Sequence, residues 1–483
     1  MEAGSATTPP SDRLDRSTLL ALVAMGLAVL IIANDFTALS VALPAIERDL
    51  DTDLTTVQWV INAYALVFGV LIVTGGKLAD MFGRRRVFVI GAGIFAGFSL
   101  LGGLAQDDLS LIACRALMGI GGALMWPAIL GMTFDVLPAS KAGIAGGLIM
   151  GAAGFGNAIG PMIGGVLTDE LSWRWIFYLN IPIAAFGVLA TLKSIKPDVV
   201  GTARERLDYA GIATLSLGLV SFLLALDQSA DWGWGDPRVI GFVVAAVLLL
   251  IAFAFAERRA GLTALIPRDV ISNRNFTAAC VAVLLMSACF FAALLYLPQF
   301  MTKVLGYTPL ESGIGLLPMM GTFALVSFVA GPLYNRVGPK LVVSLGAACI
   351  AVGMLLLSLI EASDGYSALM PGMFVLGAGI GFFYSSVTTA GITALDESRT
   401  SLAGGIVYMF QIAGGSIGLG INTAIVASAG ASLGLFTDGI SDAFLLDAVL
   451  ALLGLLVAVM FVGGRMHANA IHLHRRHAAR AHP

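Results

Sequence analysis

The 483 residues include 27 Lys and Arg against 30 Asp and Glu, a net charge of −3, with 58% apolar residues, 12% charged residues and a mean hydropathy of +0.92. So few charges cannot clothe a chain of this length in a water-exposed surface, which excludes a soluble protein and predicts a polytopic membrane protein. No G-x-x-x-x-G-K-[ST] sequence occurs to hold a nucleotide phosphate, so energy for any work across the membrane is expected from an ion gradient.

A hydrocarbon core of about 30 Å requires about 20 apolar residues at 1.5 Å each. Fourteen such runs are predicted, at about 18–43, 56–76, 87–105, 109–134, 142–167, 175–192, 209–227, 238–256, 276–301, 311–333, 341–360, 366–390, 402–428 and 443–464. The loops test this count. With both termini placed in the cytoplasm, Arg48, Arg174, Arg238 and Lys303 fall outside, Arg115 falls within a span, and the remaining 22 of the 27 Lys and Arg fall inside. A miscounted span would scramble that asymmetry, so basic residues here report topology and not nucleic-acid binding.

In chain order, residues 1–17 are polar, contain Pro9-Pro10 and lack a small-residue cleavage pattern, so span 1 is expected to be a retained anchor. Asp35 in span 1 and Arg115 in span 4 are read as the two ionisable residues deep in spans, at about 6 and 10 Å from the midplane toward the same side. A charge at such depth costs several kcal/mol unless it has a partner or cavity, which makes both functional candidates. A nearby cation lowers a carboxylate's pKa and desolvation raises it, so a cavity opening to alternate sides would load and unload a proton at Asp35. The plainer reading is a static ion pair locking spans 1 and 4. Asn34, Trp59, Asn62, Tyr64, Asn157 and Gln411 are candidate substrate-cavity residues, although the amides could equally bond helix to helix.

Span 2 ends in Gly76-Lys77-Leu78-Ala79-Asp80-Met81-Phe82-Gly83-Arg84-Arg85, and span 10 ends in Gly331-Pro332-Leu333-Tyr334-Asn335-Arg336-Val337-Gly338-Pro339-Lys340. The shared register indicates an internal duplication, with Asn335 at the place of Asp80. Gly83 and Gly338 suit tight turns, and the acid or amide three positions earlier can accept backbone donors. In span 5, Gly156, Gly160 and Gly164 recur every four residues on one face, with Pro161 favouring a kink and Gly165 following. Six spans precede the central region and six follow it. The predicted organisation is therefore a tail (1–17), a six-helix bundle (18–200), an inserted helix pair (201–262), a second six-helix bundle (263–465) and a basic tail with His residues (466–483). Trp232 and Trp234 at the outer turn of the inserted pair read as interfacial anchors. All four Cys fall in spans and all five His in the last tail, so neither a disulfide framework nor an intramembrane metal site is expected, and no cofactor.

These motifs together resemble the major facilitator superfamily, and in particular its fourteen-helix drug:proton antiporters. Gly156-Asn157-Ala158-Ile159-Gly160-Pro161-Met162-Ile163-Gly164-Gly165 resembles the family's antiporter motif, and residues 76–86 its cytoplasmic turn. Asp35-Phe36-Thr37-Ala38-Leu39-Ser40-Val41-Ala42-Leu43-Pro44 is similar to its first-helix signature, and Gln58-Trp59 through Tyr64 to its second-helix pattern. Leu111, Arg115, Gly119 and Gly121 are similar to its fourth-helix motif, and Trp173 to Phe177 with Asn180 and Pro182 to the entry of its sixth helix. Met118 departs from the usual Gln, and Phe410 from a frequent Arg.

The resemblance implies an all-α major facilitator fold of two pseudo-symmetric six-helix bundles plus an inserted pair, and no enzyme activity. It implies export of hydrophobic or amphipathic small molecules in exchange for protons, from the cell membrane, by a monomer with no nucleic-acid partner. Asp35 would carry the proton and Arg115 tune it. Gly76, Asp80, Gly83, Arg84 and Arg85 would form a cytoplasmic gate, with Asp80 near a partner-helix amino terminus. The glycines of span 5 would pack against the other half and exclude water. A lipid or dedicated-metabolite carrier on the same fold is the alternative. A membrane sensor or enzyme would need a nucleophile, His cluster or signalling domain that the sequence does not offer.

Overall fold

The computed structural model describes residues 15–197, 207–430 and 432–463. Residues 1–14, 198–206, 431 and 464–483, which include the latter part of the 193–206 basic stretch and the His-containing tail, lie outside them. Fourteen helices long and apolar enough to cross a membrane occur among the described residues. They are α1 (Arg16–Asp49), α2 (Leu54–Phe82), α3 (Arg84–Gly103), α4 (Asp108–Val136), α5 (Ala142–Glu170), α6 (Arg174–Ser194) and α7 (Tyr209–Trp232). They continue with α8 (Pro237–Ala260), α9 (Arg274–Lys303), α10 (Pro309–Val337), α11 (Pro339–Leu357), α12 (Tyr366–Thr393), α13 (Thr400–Ala429) and α14 (Leu433–Phe461).

Local chemistry sets the ends. Asp53 accepts from Thr56 N to cap α2, Asp107 from Ser110 N to cap α4, and Thr308 and Glu311 form a reciprocal capping box on α10. α10 breaks at Leu316, just before Pro318, into Pro309–Gly315 and Leu317–Val337, because proline cannot supply the interior N–H that a continuous helix needs. α14 begins about ten residues earlier than the apolar pattern predicts. Thr437, Asp438, Ser441 and Asp442 look like loop in sequence, yet Ser432 caps the helix and Thr437 is buried. The shift moves Asp447 from the edge of a span to the middle of one.

The packing repeats in register. α1 lies on α5 and α6, α2 and α3 on α4, and α3 on α6; α9 lies on α13 and α14, α10 and α11 on α12, and α11 on α14. The two sets meet along two equivalent seams, α2 and α4 against α13, and α10 and α12 against α5. α7 leans on α2 and α13, and α8 reaches the rest chiefly through α7, so Ile240, Val247, Leu248 and Ile251 of α8 remain exposed as lipid-facing residues do. Trp232 and Trp234 sit exposed at the α7–α8 turn, with the Arg238 guanidinium 4.1 Å from the Trp232 ring.

Candidate functional site: a buried ion pair, an aromatic seam and two latches

Four helices of the first set converge on one carboxylate. Asp35 of α1 and Arg115 of α4 are both fully buried and form an ion pair through Arg115 Nη1. Arg115 Nε donates to the Val60 carbonyl of α2 at 2.7 Å, and the guanidinium lies 4.4 Å from the Tyr64 ring. The other Asp35 oxygen accepts from Asn180 Nδ2 of α6 at 3.2 Å; the same amide reaches Ser99 Oγ of α3 at 3.2 Å, and Ser99 in turn donates to Phe177 O. Arg115 Nη2 has no hydrogen-bond partner among the described residues. A buried pair survives when its remaining protons and lone pairs are largely satisfied, and here α2 and α6 supply those bonds. Ser99 escapes sequence reasoning, and Asn180 enters it only as part of the sixth-helix resemblance, because a polar residue in a span carries no sign of its partner until the neighbouring helix is known.

An aromatic cluster runs from this node to the second set. Phe36 meets Tyr64 edge-on at 4.9 Å, Tyr64 stacks on Phe68 at 5.7 Å, and Phe68 and Trp126 contact Tyr408 of α13 at 5.6 and 4.6 Å. The Tyr64 hydroxyl, Trp126 Nε1 and Asn34 Oδ1 are buried without hydrogen-bond partners among the described residues. Unpaired polar atoms beside aromatic faces suit a ligand that stacks and brings its own hydrogen bonds. Trp126 and Tyr408 are not singled out by the sequence reading, although Trp and Tyr ordinarily sit at membrane surfaces and these lie within spans.

The other sequence-predicted cavity residues divide. Gln411 is buried on α13 close to this seam, where neighbouring Ile412 meets Gly69 of α2. Asn157 and Trp59 are half-buried. Asn62 Nδ2 donates to Asp227 Oδ1 of α7 at 3.1 Å, which ties this amide to the inserted pair.

At the end of the bundle carrying the Gly83 and Gly338 turns, each seam is closed by a helix amino terminus. Asp80 accepts from Leu402 N at 2.8 Å and Ser401 N at 3.2 Å, both in the first turn of α13. Its neighbour Arg84 donates to Asp80 at 3.1 Å and to Glu397 O at 2.5 Å, and pairs with Asp135. Arg85 donates to Ile195 O at 2.8 Å, within the first set. Gly83 takes φ +98°, a region that glycine enters without strain. Gly76 admits the α13 backbone, since a methyl there would sit 2.6 Å from Ser401 O. In the second copy, Asn335 Oδ1 accepts from Gly143 N at the start of α5 at 2.9 Å, and a methyl on Gly331 would sit 2.5 Å from Gly143 O. The two latches are the same device, one charged and one neutral.

Two expectations require correction. Gly156, Gly160 and Gly164 do not face the other half. They face α1, where a methyl at 156 would lie 2.7 Å from Leu30 O and one at 160 would lie 2.9 Å from Thr37 Cβ. The stripe that meets the second set is Gly143, Gly147 and Gly154, continued by Pro161 against Gly313 and Gly165 against Leu310. Gly154 and Gly156 are two residues apart, about 200° around a helix, so α5 carries small residues on opposite faces. Asp35 and Arg115 are also not alone at depth: Asp447, fully buried at the middle of α14, is a third ionisable group. The inference of a single deep carboxylate falls with that finding.

Seams closed by helix ends, not by loops, can part and re-form as units, and with a charged pair sealed between apolar spans they define an integral membrane carrier. The chain belongs to the Major Facilitator Superfamily, whose family model matches residues 25–419. It is similar to the tetracenomycin C resistance and export protein of Streptomyces glaucescens, 33% identical over 88% of this chain and 79% of the relative. It is 34% identical to the puromycin resistance protein pur8 of Streptomyces alboniger, over 93% and 89%. The multidrug transporter protein MdtP of Bacillus subtilis is 30% identical over 85% and 75%. The protein is thus a multi-pass transporter of the bacterial cell membrane, acting on small molecules and not an enzyme.

Proposed function

We propose that this transporter exports amphipathic, aromatic-bearing compounds, including antibiotics, in exchange for protons taken up at Asp35. The observation that carries the reading is the sealed Asp35–Arg115 pair next to an aromatic seam with unpaired polar atoms. Protonating Asp35 removes the charge that holds Arg115 toward α1 and leaves the guanidinium its bond to Val60 O and its place beside Tyr64, both on α2. The proton on α1 therefore changes how α4 sits against α2, the helix that also carries Asp80. Coupling of this kind links proton state to the seam, as alternating access requires.

Both termini are assigned to the cytoplasm from the Lys and Arg distribution, which makes the Asp80 and Asn335 latches cytoplasmic gates. With those gates shut, the arrangement is closed toward the cytoplasm. Pro161 and Gly165 of α5, and not its Gly156 stripe, seal the outer part of the second seam. The two six-helix sets act as rocking units of a monomer, and the inserted pair rides on one seam.

The test is a growth-inhibition panel in an efflux-deficient bacterial host at matched membrane expression, with tetracenomycin C and puromycin included because relatives are named for them. Wild type is expected to protect against at least one compound. Asp35→Asn, and the charge-balanced Asp35→Asn/Arg115→Gln, should both lose that protection. Protection retained by the folded double variant would overturn proton coupling at Asp35.

A further inference from the structure

The second repeat relocates its acid. Asp35 stands nine residues before Pro44 of α1, and the residue nine before Pro298 of the equivalent helix α9 is Cys289. Its Sγ donates to the backbone oxygen of Asp447 on α14, at 3.2 Å. Where the first repeat sets an α1 carboxylate against an α6 amide, the second sets the carboxyl on α14, the counterpart of α6. Asp447 has no guanidinium. Its Oδ2 accepts from Asn422 Nδ2 of α13 at 2.9 Å, whereas Asp447 Oδ1 and Asn422 Oδ1 are both buried without a hydrogen-bond partner among the described residues.

Two orphaned acceptors on side chains already joined by one hydrogen bond are the arrangement that one added proton repairs. A carboxyl O–H on Asp447 turned to Asn422 Oδ1, with the amide N–H kept on the other oxygen, closes an acid–amide ring and leaves neither atom orphaned. Charge chemistry agrees. Apart from Arg274 and Lys303 at the two ends of α9 and Lys340 at the start of α11, the helices α9, α11, α13 and α14 carry no cation. The other titratable groups on them are Cys280, Cys289 and Tyr296 of α9, Cys349 of α11, Tyr408 of α13, and Asp438 and Asp442 of α14; none offers a compensating positive charge. An unpaired buried carboxylate neutralises itself by protonation.

A cavity approaches this group from the end opposite the latches. A cavity of about 460 Å³ opens between α9, α13 and α14, lined among others by Gln299, Lys303 and Phe436, and its wall includes Tyr296 and Thr423. The hydroxyls of these last two lie 2.9 Å apart, and Thr423 directly follows Asn422.

From this geometry we infer that Asp447 is a second proton-binding site, in the C-terminal repeat, loaded from the outer side through the Tyr296–Thr423 cavity. It extends the proton-exchange reading above but is testable without it. One proton from water adds to Asp447 Oδ1 and leaves from the same atom, and no other bond is made or broken. The experiment is infrared spectroscopy of the purified full chain in lipid nanodiscs, following the carbonyl stretch of protonated carboxyl groups from about pH 5 to about pH 10, the range over which a buried acid titrates. Wild type should show a band near neutral pH that fades as pH rises. Asp35→Asn should keep that band and Asp447→Asn should lose it. Asn422→Ala, which spares the carboxyl, should shift both its frequency and its midpoint, and this variant decides the matter if Asp447→Asn does not fold. A band unmoved by Asp447→Asn or Asn422→Ala, or one that persists undiminished across the whole range, would overturn the inference; the latter would make Asp447 a permanent helix fastener. Loss of drug protection in Asp35→Asn bears only on the earlier reading.

Discussion

Neutralising Asp80 should unfasten one latch and leave the other shut. Asp80 is nearly buried, its side chain about 8% exposed, and it accepts two α13 backbone donors and one Arg84 donor. Hydrogen bonds to a charged group contribute about 1.5–3 kcal/mol each and neutral ones about 0.5–1.5. Asp80→Asn therefore weakens the two backbone bonds by about 1 kcal/mol apiece and leaves Arg84 Nε without its carboxylate. A loss of about 2 kcal/mol is about a 30-fold shift toward the parted seam, at tenfold per 1.4 kcal/mol. The readout is the alkylation rate of Ser401→Cys, a position fully buried in the latch, with Cys114, Cys280, Cys289 and Cys349 replaced and the protein in nanodiscs open to reagent on both sides. The rate should rise by about that factor when Asp80→Asn is added. Asn335→Ala, which removes one neutral bond, should change it much less. Equal rates with and without Asp80→Asn would show that packing alone holds the seam and would refute the electrostatic account.

Three further outcomes follow from the geometry. Asp35→Asn strands Arg115 in the core, so it should lower stability by about 3–5 kcal/mol, read as thermal unfolding in detergent, and Arg115→Gln in the same chain should restore much of the loss. Gly156→Ala forces a methyl against the Leu30 carbonyl and should destabilise by about 1–3 kcal/mol, whereas Gly165→Ala meets only the movable tip of Leu310 and should be milder, a ranking that chemical denaturation would check. Tyr408→Ala or Trp126→Ala removes a face of the aromatic seam; each should narrow or shift the range of compounds tolerated in the growth panel without changing the Asp447 infrared band.

Much of the architecture was legible because long apolar runs, loop cations and repeated turn residues are local signals. All fourteen spans could be placed from them, and the Asp35–Arg115 pairing follows from the expense of burying either charge alone. What stayed hidden depends on which face of a helix meets which neighbour. α5 has glycine on two sides, and spacing alone cannot say which stripe sees α1 and which sees α10. Asn180 reads as part of an entry motif until α1 and α6 are brought side by side. Asp447 was masked by its own helix, whose first turns carry Asp438, Ser441 and Asp442 and so imitate a loop.

The inserted pair has a consequence for how lipid meets the molecule. α7 roofs the seam between α2 and α13, with Leu226 and Trp234 over Gly420, while the equivalent seam between α5 and α10 presents Phe155 and Phe328 outward. The two seams are packed alike but differ in their contact with the bilayer. A compound dissolved among the acyl chains meets a bare seam on one flank and a covered one on the other.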